Sequence, residues 1–125
     1  MKRDKDLVNL RPAINSINAE FSISEHEKFQ NEVIRPIIKF QNNLIVKIFK
    51  NYTHQKKINL KSLSAKNKSE KITSILKNDR ILIFELKCII VAFFTTTEYE
   101  KYASMKSEIN KRLIQIIRER IISIY

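Results

Sequence analysis

The 125-residue chain has no glycine, no tryptophan, only two prolines (Pro12 and Pro36) and a single cysteine, Cys88. Glycine supplies positive φ in tight hairpins and lets the backbone approach a phosphate closely. Without it, Rossmann, P-loop and most small β folds are poor fits. One cysteine cannot form an internal disulfide, and Cys88 lies in an apolar run, so a buried and inert thiol in a reducing compartment is expected. Long hydrophobic stretches are scarce too. The longest, Ile81 to Phe94, is interrupted by Glu85 and Lys87 and is too short and too charged to span a bilayer. The first residues, MKRDKDLVNLRPAINS, put charges on both sides of a short apolar patch and form no signal-peptide core. The expectation is a cytoplasmic protein with no membrane partner.

What is present is helical patterning. A chain of this length is one domain able to bury its own core. A helical bundle with Asn, Asp and Ser at its turns tolerates the composition best. The fold class expected is therefore all-α, a small bundle of about four helices. Residues 1–21, where Pro12 and scattered Asn and Ser weaken the apolar spacing, are expected as a flexible N-terminal arm, with a flexible start and then an arm or short helix docked on the body, and 22–125 as the single bundle domain. The first strong helix opens at SISEHEKF, with Ser24 as N-cap and Glu27 three residues on. Phe29, Val33, Ile37, Phe40, Leu44, Ile48 and Tyr52 then recur in steps of three or four, which predicts one continuous helix containing Pro36. The proline removes a hydrogen bond to Glu32 and crowds its carbonyl, so the long helix is expected to kink there and continue.

Residues 53–63 read as a basic loop, and a shorter helix is expected over roughly 64–77 with Ile72, Ile75 and Leu76 inward. Asn78-Asp79 supplies a stop and a new N-cap. The run after it is β-branched, but no second segment offers a partner strand, and a lone strand is unstable. Its apolar residues cover nearly the whole helical circumference, as in a central bundle helix. A last helix is expected from Thr97, boxed with Glu100, to the C-terminus, with Tyr102, Ile109, Leu113, Ile116, Ile117, Ile121 and Ile124 inward.

The net charge of +11 is uneven: residues 1–32 carry −1, 33–87 carry +10 and 88–125 carry +2. A basic patch of Lys47, Lys50, Lys56, Lys57, Lys61, Lys66 and Lys68 could steer the chain to nucleic acid. Against this, lysine outnumbers arginine 17 to 7, and phosphate-reading sites favour the arginine fork. Ile, Lys and Asn dominate the composition as AT-rich codons would dictate, so a solvated surface is the plainer reading.

The triplet Phe-Gln-Asn occurs twice, at 29–31 and 40–42. Eleven residues advance a helix by three turns and about 20°, so the copies stack on one face. Gln30 and Gln41 fall inside the apolar arc, and Asn110 holds the equivalent place on the last helix. A buried amide left unpaired is destabilising by about 1–3 kcal/mol. These three are expected to make polar contacts in or beside the core, or to line a small pocket. Glu32, Arg35 and Lys39 share the polar face at spacings suited to surface ion pairs. His26 and His54 lie roughly 40 Å apart along one helix and cannot share a metal. No metal or other cofactor is expected. The tyrosines sit at helix ends or on apolar faces, which suits packing.

The stretches EKFQNEVIRPIIKFQNNL and FTTTEYEKYASMKSEINKRLIQIIRER resemble a family of short, all-helical bacterial proteins of uncharacterised function that often carry the label glyoxalase. The resemblance covers roughly residues 25–52 and 70–120 and implies an all-helical fold. The family tends to have a glycine in its central apolar helix, where this chain has Ile and Val. Glyoxalase-type folds are βαβββ modules holding metal on His and Glu, and a glycine-free chain with two distant histidines offers neither part. The function expected is thus a structural or protein–protein interaction module, homodimeric. The alternatives are nucleic-acid binding through residues 47–71, and a small-ligand binder or enzyme using a polar pocket between the long helices.

Overall fold

The computed structural model describes residues 1–12 and 24–125. Among the described residues the chain is all-helical, in six helices. They are α1 (Lys2–Leu10); α2, a continuous run over 25–55; α3 (Ala65–Asn78); α4 (Arg80–Val91); α5 (Thr96–Ser104); and α6 (Lys106–Ser123). The expectation of about four helices is therefore too low, for two reasons. The N-terminal arm contributes helix α1, which that count left out, while residues 13–21 lie outside the described part. The expected C-terminal helix is also two helices, broken at Met105 (φ −128°, ψ 24°). At the break the Ser104 hydroxyl donates to the Lys101 carbonyl at 2.7 Å, a back-bond that competes with the helical ladder.

Pro36 does not end α2. One π-helical turn, Gln30–Ile34, stands immediately before it, and the Arg35 N–H donates to Gln30, five residues back. The wider turn accommodates the ring where an α-turn would clash. It also shifts the buried face. Phe29 and Val33 are followed by Ile34, Ile37, Ile38, Ile45 and Phe49, so that from Ile34 on a row of Ile34, Ile38, Ile45 and Phe49 runs beside the expected one. The expected stripe is corrected at Phe40 and Leu44, which are 41% and 44% exposed, while Ile48 and Tyr52 pack against the core as expected. The sequence pattern runs in unbroken α-turns, whereas the chain inserts an extra residue.

Local capping sets most boundaries. Ser24, Ser64 and Asp79 accept from the backbone N–H groups of Glu27, Asn67 and Leu82, as N-caps do. The capping box of α5 is Thr95 with Glu98, two residues before the expected Thr97 and Glu100. Helix α6 is the one that packs against α2, α3, α4 and α5, burying Ile109, Leu113, Ile116, Ile117 and Ile121; Ile124 is exposed. Aromatic edges close the core, with Phe29 against Phe94 at 5.5 Å and Phe94 against Tyr102 at 5.3 Å.

Candidate functional site

Helix α4 departs most from expectation. It is not central. Leu82, Leu86 and Ile90 are buried on one side, while Ile81 is 82% and Phe84 66% exposed on the other. Cys88, expected in the core, is exposed between them, and Ala92 extends the same face. At 100° per residue these four positions lie within one outward arc. Glu85 falls about 20° outside that arc, on the side toward α2.

The neighbouring strip of α2 widens this face. The two helices run antiparallel, since Gln41 Nε2 donates to the Ile89 carbonyl at 3.0 Å and Tyr52 Oη to Asp79 Oδ2 at 2.7 Å. Phe40, half-exposed, rests on Phe93 with ring centroids 5.2 Å apart. Leu44 follows one turn on. The outward surface of α4 and α2 thus exposes Phe40, Leu44, Ile81, Phe84, Cys88 and Ala92, with Lys47 and Glu85 beside Ile81.

The amides singled out from sequence are half-buried, and each is held by a different partner. Gln30 Oε1 accepts from Arg112 at 3.0 Å, Gln41 donates to α4 as above, and Asn110 Oδ1 accepts from Tyr102 at 2.6 Å. Asn110 borders a hollow with Ile114 and Arg118, and Gln30 another with Arg35 and Arg112. The second triplet adds a contact that sequence reasoning missed: Asn42 Oδ1 accepts from Arg120 at 3.1 Å. The repeated triplets therefore tie α2 to two arginines of α6. Eight residues separate those arginines, and the contact comes from the glutamine in the first triplet and from the asparagine in the second.

Arg35 Nε donates to Asn31 at 3.2 Å. Glu32 and Lys39 are exposed, and among the described residues no ion pair joins Glu32, Arg35 and Lys39. The basic residues do not share one flank. Lys47 and Lys56 border a groove beside Ile81 and Glu85, whereas Lys50 and Lys61 border a hollow beside Tyr125. Lys68 Nζ donates to the Tyr125 carbonyl at 3.2 Å. Lys57 and Lys66 are exposed.

A second network was invisible from sequence. The C-terminal end of α4 has no glycine to turn its carbonyls back on the chain, and they need donors. Arg3 donates to the carbonyls of Phe94 and Ala92 at 3.0 and 2.9 Å, and Arg11 to that of Phe93 at 2.7 Å. Arg11 also forks onto both oxygens of Glu98 at 2.7 and 2.6 Å. Burial pushes the Glu98 carboxyl up, but Arg11 and the Thr95 N–H outweigh it and hold it below its usual value. Burial and the Asp79 hydrogen bond push the Tyr52 hydroxyl up to about 12.

Among the described residues no cluster of His, Cys, Asp and Glu is arranged to hold a metal ion, and no helix is long and apolar enough to cross a membrane. Comparison with models of protein families, with curated proteins and with solved structures finds no match.

Proposed function

We propose that this protein is a structural or interaction module that pairs with a second copy of itself through the outward face of α4, flanked by Phe40 and Leu44. The observation carrying this reading is the exposure of two large apolar side chains, Ile81 and Phe84, on the outward arc of α4. An outer helix of a free-standing bundle turns polar residues to water, and a contiguous apolar patch marks an association surface.

Shape favours a second copy. The N-terminal half of the face carries the bulky Ile81 and Phe84, and the C-terminal half carries the small Cys88 and Ala92. Two such helices packed antiparallel about a two-fold axis set large residues into the gaps over small ones. That is the self-complementarity an isologous interface needs.

Light scattering over a concentration series tests the reading. The expected mass rises from monomer to dimer. Phe84→Ser should weaken pairing by about thirtyfold or more, the effect of losing a central aromatic anchor, while helix content stays unchanged. A strict monomer at the highest attainable concentration would remove the proposal. Nucleic-acid binding through the lysines of 47–71 remains the second reading, supported by the +10 charge of residues 33–87. It predicts retardation of labelled DNA or RNA that fades steeply with salt, and no retardation at about 50 mM salt would eliminate it.

A further inference from the structure

Behind the outward face of α4, a cleft of about 450 Å³ opens between α3, α4 and α6, within the roughly 300–1,000 Å³ common for small-molecule sites. Leu76, Ile83 and Ile114 give it an apolar lining, and four cations surround them: Lys77, Lys87, Lys111 and Arg118. No carboxylate lines it, and among the described residues none of the four cations is in an ion pair. All four charges on the cleft have the same sign; Lys77 and Lys111 are exposed at its mouth, and Lys87 and Arg118 are half-buried.

The hydrogen-bonding groups share this bias. Arg118 Nε is buried with no hydrogen-bond partner, which is destabilising unless something accepts from it. Asn110, also on the wall, has its Oδ1 engaged by Tyr102 Oη, so its amide N–H groups are what it can offer a guest. Apolar floor, cationic rim and unused donors describe one kind of occupant.

We propose that this cleft binds a small amphipathic anion, an aliphatic or aromatic body carrying a carboxylate or phosphate head. The body covers Leu76, Ile83 and Ile114. The head accepts charge-assisted hydrogen bonds from Arg118 and the flanking lysines. Lys87 and Ile83 lie on the side of α4 away from the Ile81–Cys88 stripe, so the site is separate from the self-association face.

The test is titration of the full chain with decanoate, decyl phosphate and decanol, followed by backbone amide NMR shifts. Decanoate or decyl phosphate should give saturable shifts centred on Ile83, Ile114 and Arg118. Decanol, with the same tail and no charge, should bind at least about tenfold more weakly. A preference between the two anions tells a carboxylate-headed ligand from a phosphate-headed one, and either preference supports the site. Arg118→Met should lower anion affinity about tenfold with helix content unchanged. Lys87→Met makes the same test if that variant fails to fold, and Lys106→Met, away from the cleft, should change nothing. Equal binding of decanol and decanoate, shifts centred on Phe84, or no saturable shifts would each overturn the proposal.

Discussion

At Lys57 the backbone enters the left-handed region with φ of 58°, in a chain with no glycine to place there. The Ile58 N–H donates to Thr53 and the Lys57 N–H to His54, the paired bonds of a Schellman motif closing α2. A side chain in this conformation is destabilising by roughly 1–2 kcal/mol. Lys57→Gly should therefore raise stability by about 1 kcal/mol in a denaturant titration; a fall would show that the lysine side chain contributes more than the strain it imposes. Arg11 and Glu98 make the opposite case. Their side chains are 8% and 18% exposed, and removing one strands the other. Arg11→Met should destabilise by about 1.5–3 kcal/mol at neutral pH. Because the folded state holds the Glu98 carboxyl below its usual value near 4.5, that contribution is complete above pH 4.5 and fades as pH falls through the lowered value. Unfolding curves from pH 6 to 2 should show a shallower acid loss in the variant, and parallel curves would contradict the assignment.

At the scale of elements, α4 shows what local chemistry controls. Asp79 caps it through Leu82 and also accepts from Tyr52, so one carboxylate both starts a helix and fastens it to α2. Asp79→Ala should destabilise by about 1–2 kcal/mol. It should also move the last tyrosinate transition, near pH 12 in the parent, to lower pH in an ultraviolet titration. An unmoved transition would show that Asp79 does not hold the Tyr52 proton. The caps at Ser24 and Asp79 were legible in the sequence because a cap needs only its own next three residues. The box on α5 was misplaced by two because TTTEYE offers two frames, Thr95 with Glu98 and Thr97 with Glu100. The choice between them rests on Arg11, more than eighty residues away. The Phe-Gln-Asn repeat announced inward amides at Gln30 and Gln41, yet nothing in the pattern tells Arg112 from Ile89 as a partner. Helix α4 was readable as a helix, but an all-round apolar wheel is the same for a central helix and for an outer one with an association face.

For the whole molecule, the balance lies between an apolar patch and a net charge of +11. Two copies brought together repel through that charge, and salt screens the repulsion over a length of about 8–10 Å at moderate ionic strength. Self-association through the α4 face should therefore strengthen as salt is raised, opposite to any binding of the chain to nucleic acid. The cleft behind α4 adds a separable consequence: an anion held among Lys77, Lys87, Lys111 and Arg118 lowers the charge of each copy and should favour pairing further. The measurement that bears most directly on the central claim is sedimentation equilibrium of the unaltered protein at low and at high salt. The account predicts a monomer–dimer equilibrium that shifts toward dimer as salt rises. A single monomeric species at both salts and at every loading concentration would contradict it.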